Sequence, residues 1–447
     1  MKLIENIKNI WKIEDLRTRI GITFLFLLVY RFGCHVVVPG IDPLNLEAMR
    51  EFTNNSGLMQ LLDMFSGGAF SQASIFALGI MPYITASIVI QLAGMVVPSF
   101  QKLSREGESG RVKLNQYTRY LTVLILLVQA PAYLVNLQYQ VNAAAASGHA
   151  APMEISWANM VFMSLVLTAG AMFIMWLGEK ITDKGIGNGI SMIILVGILA
   201  RLPGAFVQEF TSRLNTAQGG LVMLLIEIIV LFAVTAGAVM LVQGTRKVPV
   251  QYAKRIVGNK QYGGARQYIP LKVNAANVMP IIFAQALMFI PATLAGFRAS
   301  GEGFWGKFAS TFSDINGFWY NVVYFLLILA FTYFYTAITV RPTQMAEEMK
   351  KNSGFIPGIK PGKKTAEYLD SIMSRITLPG SIFLGIVAIM PAFARFFGIN
   401  QQFAQFFGGT SLLIMVGVVL DTLQQVETHL QMHHYDGLMR SGRIKGR

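Results

Sequence analysis

Residues 221–242 read LVMLLIEIIVLFAVTAGAVMLV, a run of 22 residues broken by a single charge, Glu227. Crossing about 30 Å of hydrocarbon takes roughly 20 apolar residues at ~1.5 Å each, and this run reaches that length with no turn signal inside it. Lipid offers backbone N–H and C=O groups no hydrogen-bonding partner, so an apolar stretch of this length reads as an α-helix. Nine more stretches share the pattern, at 20–38, 75–97, 120–137, 157–178, 187–203, 278–297, 319–340, 377–397 and 409–427. The expected fold class is all-α, a polytopic membrane protein of ten transmembrane helices. Composition agrees: of 447 residues 53% are hydrophobic and only 13% charged, about half the charged share of an ordinary soluble domain. Mean hydropathy is +0.50.

The net charge of +14 would suit a nucleic-acid binder, so its location matters. With the N-terminus in the cytoplasm, residues 1–19, the loops 98–119, 179–186, 243–277 and 341–376, and the tail from 428 lie inside. These segments hold 30 of the 37 Lys and Arg, which is the positive-inside pattern and places both termini in the cytoplasm. Residues 1–19 carry Ile4, Ile7, Ile10 and Trp11 on one face and lysines on the other, an amphipathic segment expected to lie along the membrane surface, not a cleavable signal peptide. The lone cysteine, Cys34, excludes an intramolecular disulfide framework and a multi-cysteine metal site and reads as a packing residue.

Two segments depart from simple spans and short connections. The loops 243–277 and 341–376 far exceed the 2–8 residues that usually join helices, are densely basic, and contain turn chemistry at Gly263-Gly264, Pro357-Gly358 and Pro361-Gly362. They are expected to be ordered, protruding and used for docking something large. Residues 57–72, GLMQLLDMFSGGAFSQ, are amphipathic, interrupted at Ser66-Gly67-Gly68 and too short to span. They read either as a re-entrant half-helix, which needs a protein-lined or water-filled cavity, or as an ordinary extracellular loop helix.

Chemistry is sparse. An ion-coupled transporter needs ionisable residues paired inside the membrane, and the clear charges in the spans, Arg31, Glu227 and Asp421, lie on three separate helices. Each falls within about two turns of a span end, where its head is expected to snorkel to water. The G-x-S-G match at Gly107–Gly110 lies in a hydrophilic run with no mid-span histidine to serve as base, so a serine protease is excluded. His429 and His433 share a helix face beside His434, but no carboxylate or cysteine completes a metal site. Gly185-Ile186-Gly187-Asn188-Gly189 follows no strand and reads as a tight helix entry, not a phosphate loop.

Six motifs occur in order along nearly the whole chain: Met64–Ala69 (MFSGGA), Phe76–Ile84 (FALGIMPYI), Gly107–Arg111 (GESGR), Gly185–Ser191 (GIGNGIS), Pro270–Asn274 (PLKVN) and Gly408–Ile414 (GGTSLLI). Together they resemble the signature stretches of the SecY family, the channel subunits of the Sec protein translocase.

That resemblance implies two inversely related five-helix halves, 1–204 and 205–447, around an hourglass pore. Preproteins would cross it unfolded, and signal sequences and membrane segments would leave sideways into lipid through a gate between helices two and three on one side and seven and eight on the other. It also implies a pore ring of Ile80, Ile84, Ile190, Ile194, Ile282 and Ile414, an apolar constriction of the kind that gates by dewetting. The half-helix would be the plug, with Leu58, Leu61, Leu62, Met64, Phe65, Gly67 and Gly68, and the gate would hold Thr85, Ser87, Gln91, Asn188 and Ile290. Docking residues would be Lys254 and Arg255 in one loop and Lys360, Lys363 and Lys364 in the other. Where the family pattern carries Gly-Ile-Arg-Pro-Gly, this chain has Lys360, a point charge without arginine's fork. Implied partners are SecE-like and SecG-like small membrane subunits, the SecA motor ATPase, the ribosome, preprotein signal sequences and membrane lipid. No enzyme activity, cofactor or metal is implied, and the expected location is the bacterial inner membrane. The alternative reading is a secondary transporter of a small solute.

Overall fold

The computed structural model describes residues 13–42, 57–146, 153–215, 220–252, 255–257, 260–262, 266–276, 278–285, 287–288 and 317–441. Helices dominate: α1 Glu14–Gly33, α2 Gly57–Phe65, α3 Met81–Val96, α4 Pro98–Arg105, α5 Glu108–Ala146, α6 Trp157–Lys184, α7 Gly189–Asn215 and α8 Gly220–Gln243. Strands β1 Thr245–Tyr252, β2 Arg255–Val257, β3 Lys260–Tyr262 and β4 Arg266–Lys272 follow. The chain then forms α9 Phe318–Thr339, α10 Pro342–Lys351, β5 Gly354–Phe355, α11 Lys363–Phe396, the short α12 Gln401–Ala404 and α13 Gly409–Ser441.

Among the described residues seven helices are long and apolar enough to cross a membrane, or eight if α3 and α4, which meet at 99°, form one broken span. The break falls before Pro98, where Val97 is extended (φ −93°, ψ 118°), as sterics require of a residue preceding proline. The first expected span, 20–38, is occupied by α1, which starts earlier and stops at Gly33 so that Val37 can bridge to Ser74. The span expected at 278–297 lies largely outside the described residues, as do the apolar positions of the surface segment, Ile4 to Trp11. The stretch 98–119, expected as a loop, is instead mostly helical, forming α4 and the start of α5.

Two compact units divide the chain, Met1–Gln208 with Val418–Arg447, and Glu209–Gly417. In the first, Ala130, Leu134, Leu137 and Val141 stack along one face of α5 at helical spacing and pack with Met163 and Leu167 of α6 around Phe70, Ala73 and Ala77. The chain after α2 is thus part of the core.

In the second unit the two long basic loops meet in one antiparallel sheet, ordered β4-β1-β5. Thr245 pairs with Lys272 and Gln251 with Arg266, while Gln251 and Tyr252 also pair with Phe355 and Gly354. Val248, Val250 and Leu271 point inward and pack on Met349, Ile356, Leu369 and Met373. Order in these loops was expected, but the sheet was not: Pro249 and Pro270 sit within its strands, and proline weakens a strand signal. Gly358 (φ +84°) and Gly362 (φ +103°) make the turns expected of the Pro-Gly pairs; Gly263-Gly264 lies outside the described residues.

The second unit also corrects the reading of Glu227. Rather than snorkelling, it is 2% exposed and accepts a 2.5 Å hydrogen bond from Arg213 Nη2. Arg213 Nε donates to Glu209 Oε1 at 2.8 Å and Nη2 also to the Gly398 carbonyl at 3.0 Å, while the Asn400 N–H donates to Glu209 Oε2 at 3.0 Å. The cluster ties α7, α8 and the 398–400 turn together. Asp421, by contrast, is exposed as expected.

Candidate functional site

The half-helix α2 spans nine residues, about 14 Å of rise and less than half a bilayer core. Most of what surrounds it is irregular: residues 66–80 are turns, and nearly all are buried. Buried backbone polar groups need partners, and here they have them. The Gly68 N–H donates to the Asp63 carbonyl at 2.8 Å, Ser66 Oγ donates to the same carbonyl at 3.1 Å, and Phe70 N–H donates to Ser66 Oγ at 3.0 Å. Farther on, Ile75 N–H donates to Val36 C=O at 2.9 Å and Tyr133 Oη donates to Phe70 C=O at 2.9 Å.

Two glycines fix the turn. Gly67 (φ +67°) and Gly68 (φ +92°) adopt left-handed backbone, which side chains resist. A Cβ on Gly67 would also lie 3.0 Å from Gly197 Cα of α7, and one on Gly68 3.0 Å from the Arg201 guanidinium. The Ser-Gly-Gly interruption is therefore what lets the segment lie directly against α7.

Cations surround it. Arg31 Nη1 donates to the Gly67 carbonyl at 2.5 Å, and Tyr30 Oη to the Ser66 carbonyl at 3.1 Å. Arg31 was expected to snorkel; its guanidinium instead bonds a buried turn, because an unmatched carbonyl there costs more than a bent arginine stem. From α7, Arg201 pairs with Asp63 and its Nη2 donates to Ser71 Oγ at 3.0 Å. The Ser71 N–H closes the ring by donating to Asp63 Oδ1 at 2.8 Å. Sequence reasoning passed over both Asp63 and Arg201, although Arg201 is a charge inside an expected span and that alone was a usable signal. Cys34 is buried, its Sγ 3.8 Å from the Ser66 carbonyl, in the packing role expected of it.

Leu62, Met64 and Phe65 pack here, the last two 5% and 6% exposed. The side chains of Leu58 and Leu61 lie outside the described residues. In the first unit Ile80, Ile84 and Ile194 are buried and Ile190 is half-buried; in the second Ile414 is buried and Ile282 half-buried. Ile80 occupies the N-cap position of α3 without a side-chain cap, and Ser411 Oγ donates to Gln405 C=O at 2.5 Å near the start of α13.

Among the other expected residues, half-buried Thr85 donates to Met81 C=O at 3.1 Å and Gln91 Nε2 to Ser87 Oγ at 3.2 Å. Asn188 Oδ1 accepts from the Ile190 and Ser191 N–H groups at 3.1 and 3.4 Å, an N-cap. The tight helix entry at 185–189 is thereby realised, with Gly187 at φ +80° and its N–H donating to Gln425 Oε1 at 3.0 Å. Lys360, Lys363 and Lys364 are exposed around the Gly358 and Gly362 turns. Lys254, Ile290 and the side chains of Arg255, His433 and His434 lie outside the described residues.

A too-short helix whose last three residues are buried, followed by a turn on paired glycines, is the feature the resemblance singled out. The SecY family model matches residues 74–423. The chain belongs to the SecY family. Its SecY relatives include the protein translocase subunit SecY of Streptomyces galbus, 43% identical over 96% of this chain and 98% of its own. That of Mycobacterium tuberculosis is 42% identical over 95% and 97%. Among solved structures, a protein-conducting channel aligns with a TM-score of 0.63 at 18% identity, covering 92% of each chain. A SecY whose plug domain stabilises the closed channel and maintains a membrane seal aligns with 0.64, also at 18% and 92% of each chain. The fold is thus shared with these channels over 92% of the chain.

Proposed function

We propose that this multi-pass membrane protein is the protein-conducting channel subunit of a translocase, and that residues 57–72 are its plug. The observation that carries the reading is α2 itself: a nine-residue helix buried among apolar spans has no use as an anchor, whereas a movable stopper has to be short and separately held. Relatives named protein translocase subunit SecY match nearly end to end, which supports transport of unfolded preproteins by a channel and not catalysis.

On this reading the halves 1–204 and 205–447 enclose the pore, and the six isoleucines form its seal. Signal sequences and membrane segments leave through a lateral gate bearing Thr85, Ser87, Gln91, Asn188 and Ile290. The bacterial inner membrane holds the protein with both termini in the cytoplasm. The basic loops dock the ribosome or the SecA motor; a solved relative of the fold is Sec61 in a canine ribosome–channel complex. The exposed turn at Lys360–Lys364 supports this use, since a solvated lysine cluster suits an acidic or phosphate-rich partner. SecE-like and SecG-like subunits complete the unit.

Co-purification followed by reconstitution tests the reading. Proteoliposomes holding the chain with a SecE-like subunit should, given SecA and ATP, protect a preprotein from external protease. Saturable uptake of a small solute by the chain alone, without preprotein protection, would overturn it.

A further inference from the structure

We propose that Asp63 and Arg201 form an electrostatic latch that holds the half-helix closed against α7 and sets how readily the channel opens; the inference rests on the plug reading above.

The contacts to the segment fall into two kinds. Arg31 and Tyr30 donate to the carbonyls of Gly67 and Ser66, so they grip the backbone of the turn and no side chain of the segment. The Arg201 contact depends on side chains: its guanidinium pairs with the Asp63 carboxylate and donates to Ser71 Oγ, and the Ser71 N–H donates to Asp63 Oδ1. Three groups from one segment and one long helix thus form a closed ring, and Gly68 leaves the space the guanidinium occupies. This part of the hold is written specifically into the chain.

Burial is asymmetric. The Asp63 side chain is 7% exposed and that of Arg201 35%, so the carboxylate depends on its partner while the arginine has an open side. Separating the pair in a dry setting would strand a carboxylate where charge is costly. Once water enters, both groups are solvated and the pair loses most of its strength, as exposed pairs do. The latch is therefore firm while the surroundings are dry and yields when they are wetted, so that an arriving substrate has to admit water before the stopper leaves.

The test measures resting conductance of the reconstituted translocase in planar bilayers. Asp63→Asn and Arg201→Gln should each raise resting open probability by about tenfold, the ratio equivalent to ~1.4 kcal/mol. The double variant should leak no more than the leakier single, because both remove one interaction. Arg201→Lys should leak less than Arg201→Gln, and Ser71→Ala, which spares the packing, should leak in the same direction by a smaller factor. Wild-type conductance in both singles, multiplicative leak in the double, or equal leak from the lysine and glutamine variants would overturn the latch. Deleting residues 60–70 separates the two readings. If the deletion raises conductance and the singles do not, the latch alone fails; if the deletion conducts like wild type, the plug reading fails and the latch with it.

Discussion

At the scale of single residues, burial decides what a charge or an isoleucine does. Arg213 holds two buried carboxylates, those of Glu209 and Glu227, and Arg213→Met would leave both without their cation. The expected loss is about 3–5 kcal/mol, read as a clear fall in the thermal unfolding midpoint in detergent; an unchanged midpoint would mean the cluster is solvated. Ile84 and Ile194 are 9% and 2% exposed, and replacing both with serine should wet the proposed constriction and let ions through the resting channel. A closed baseline equal to wild type would remove them from the seal. Sequence patterns could nominate these isoleucines only by family resemblance, because isoleucine lines any membrane helix. The pairings of Asp63 with Arg201 and of Arg213 with Glu227 were illegible for another reason, the partners lying 138 and 14 residues apart on different elements, whereas Arg213 and Glu209 are an i, i+4 pair on α7 that spacing could have found.

Among the elements, length and hydropathy made the long helices readable, and α6, α8 and α9 coincide closely with the stretches expected of them. The half-helix was readable as too short to span, but its burial was not, since that depends on Gly67 meeting Gly197 across 130 residues of sequence. The sheet was missed because its strands are short, contain proline, and come from two loops separated by α9 and α10. Leu271 sits in its core at 4% exposure, and Leu271→Ala is expected to cost about 2–5 kcal/mol, loosening the two loops together. Limited proteolysis should then cut in both 243–277 and 341–376; cleavage confined to the mutated loop would show that the sheet does not join them. Lys254→Glu with Arg255→Glu should weaken ribosome or SecA docking several-fold and more steeply at low salt, with folding intact. Equal affinity for either partner would remove these residues from the docking surface.

For the molecule as a whole, the proposed lateral gate is the feature that would separate a translocase from a solute carrier. Thr85→Cys with Ile290→Cys, in a Cys34→Ser background, should crosslink in the closed state if the two Cα atoms lie within about 7 Å. Cys34 is buried beside Ser66, and serine keeps a donor for that carbonyl. Oxidation should stop preprotein export and reduction should restore it; efficient crosslinking with undiminished export would place the exit elsewhere. The sheet has a mechanical consequence in this setting. Gln243 ends α8 two residues before β1 begins, and β5 lies between α10 and α11, so β1 and β5 clip the ends of helices far apart in sequence to one rigid handle. A partner that grips either basic loop exerts torque on α8 and α11 in a single stroke, and a nick in the 258–265 stretch would leave that lever arm whole because the ladder, not the covalent chain, carries the load.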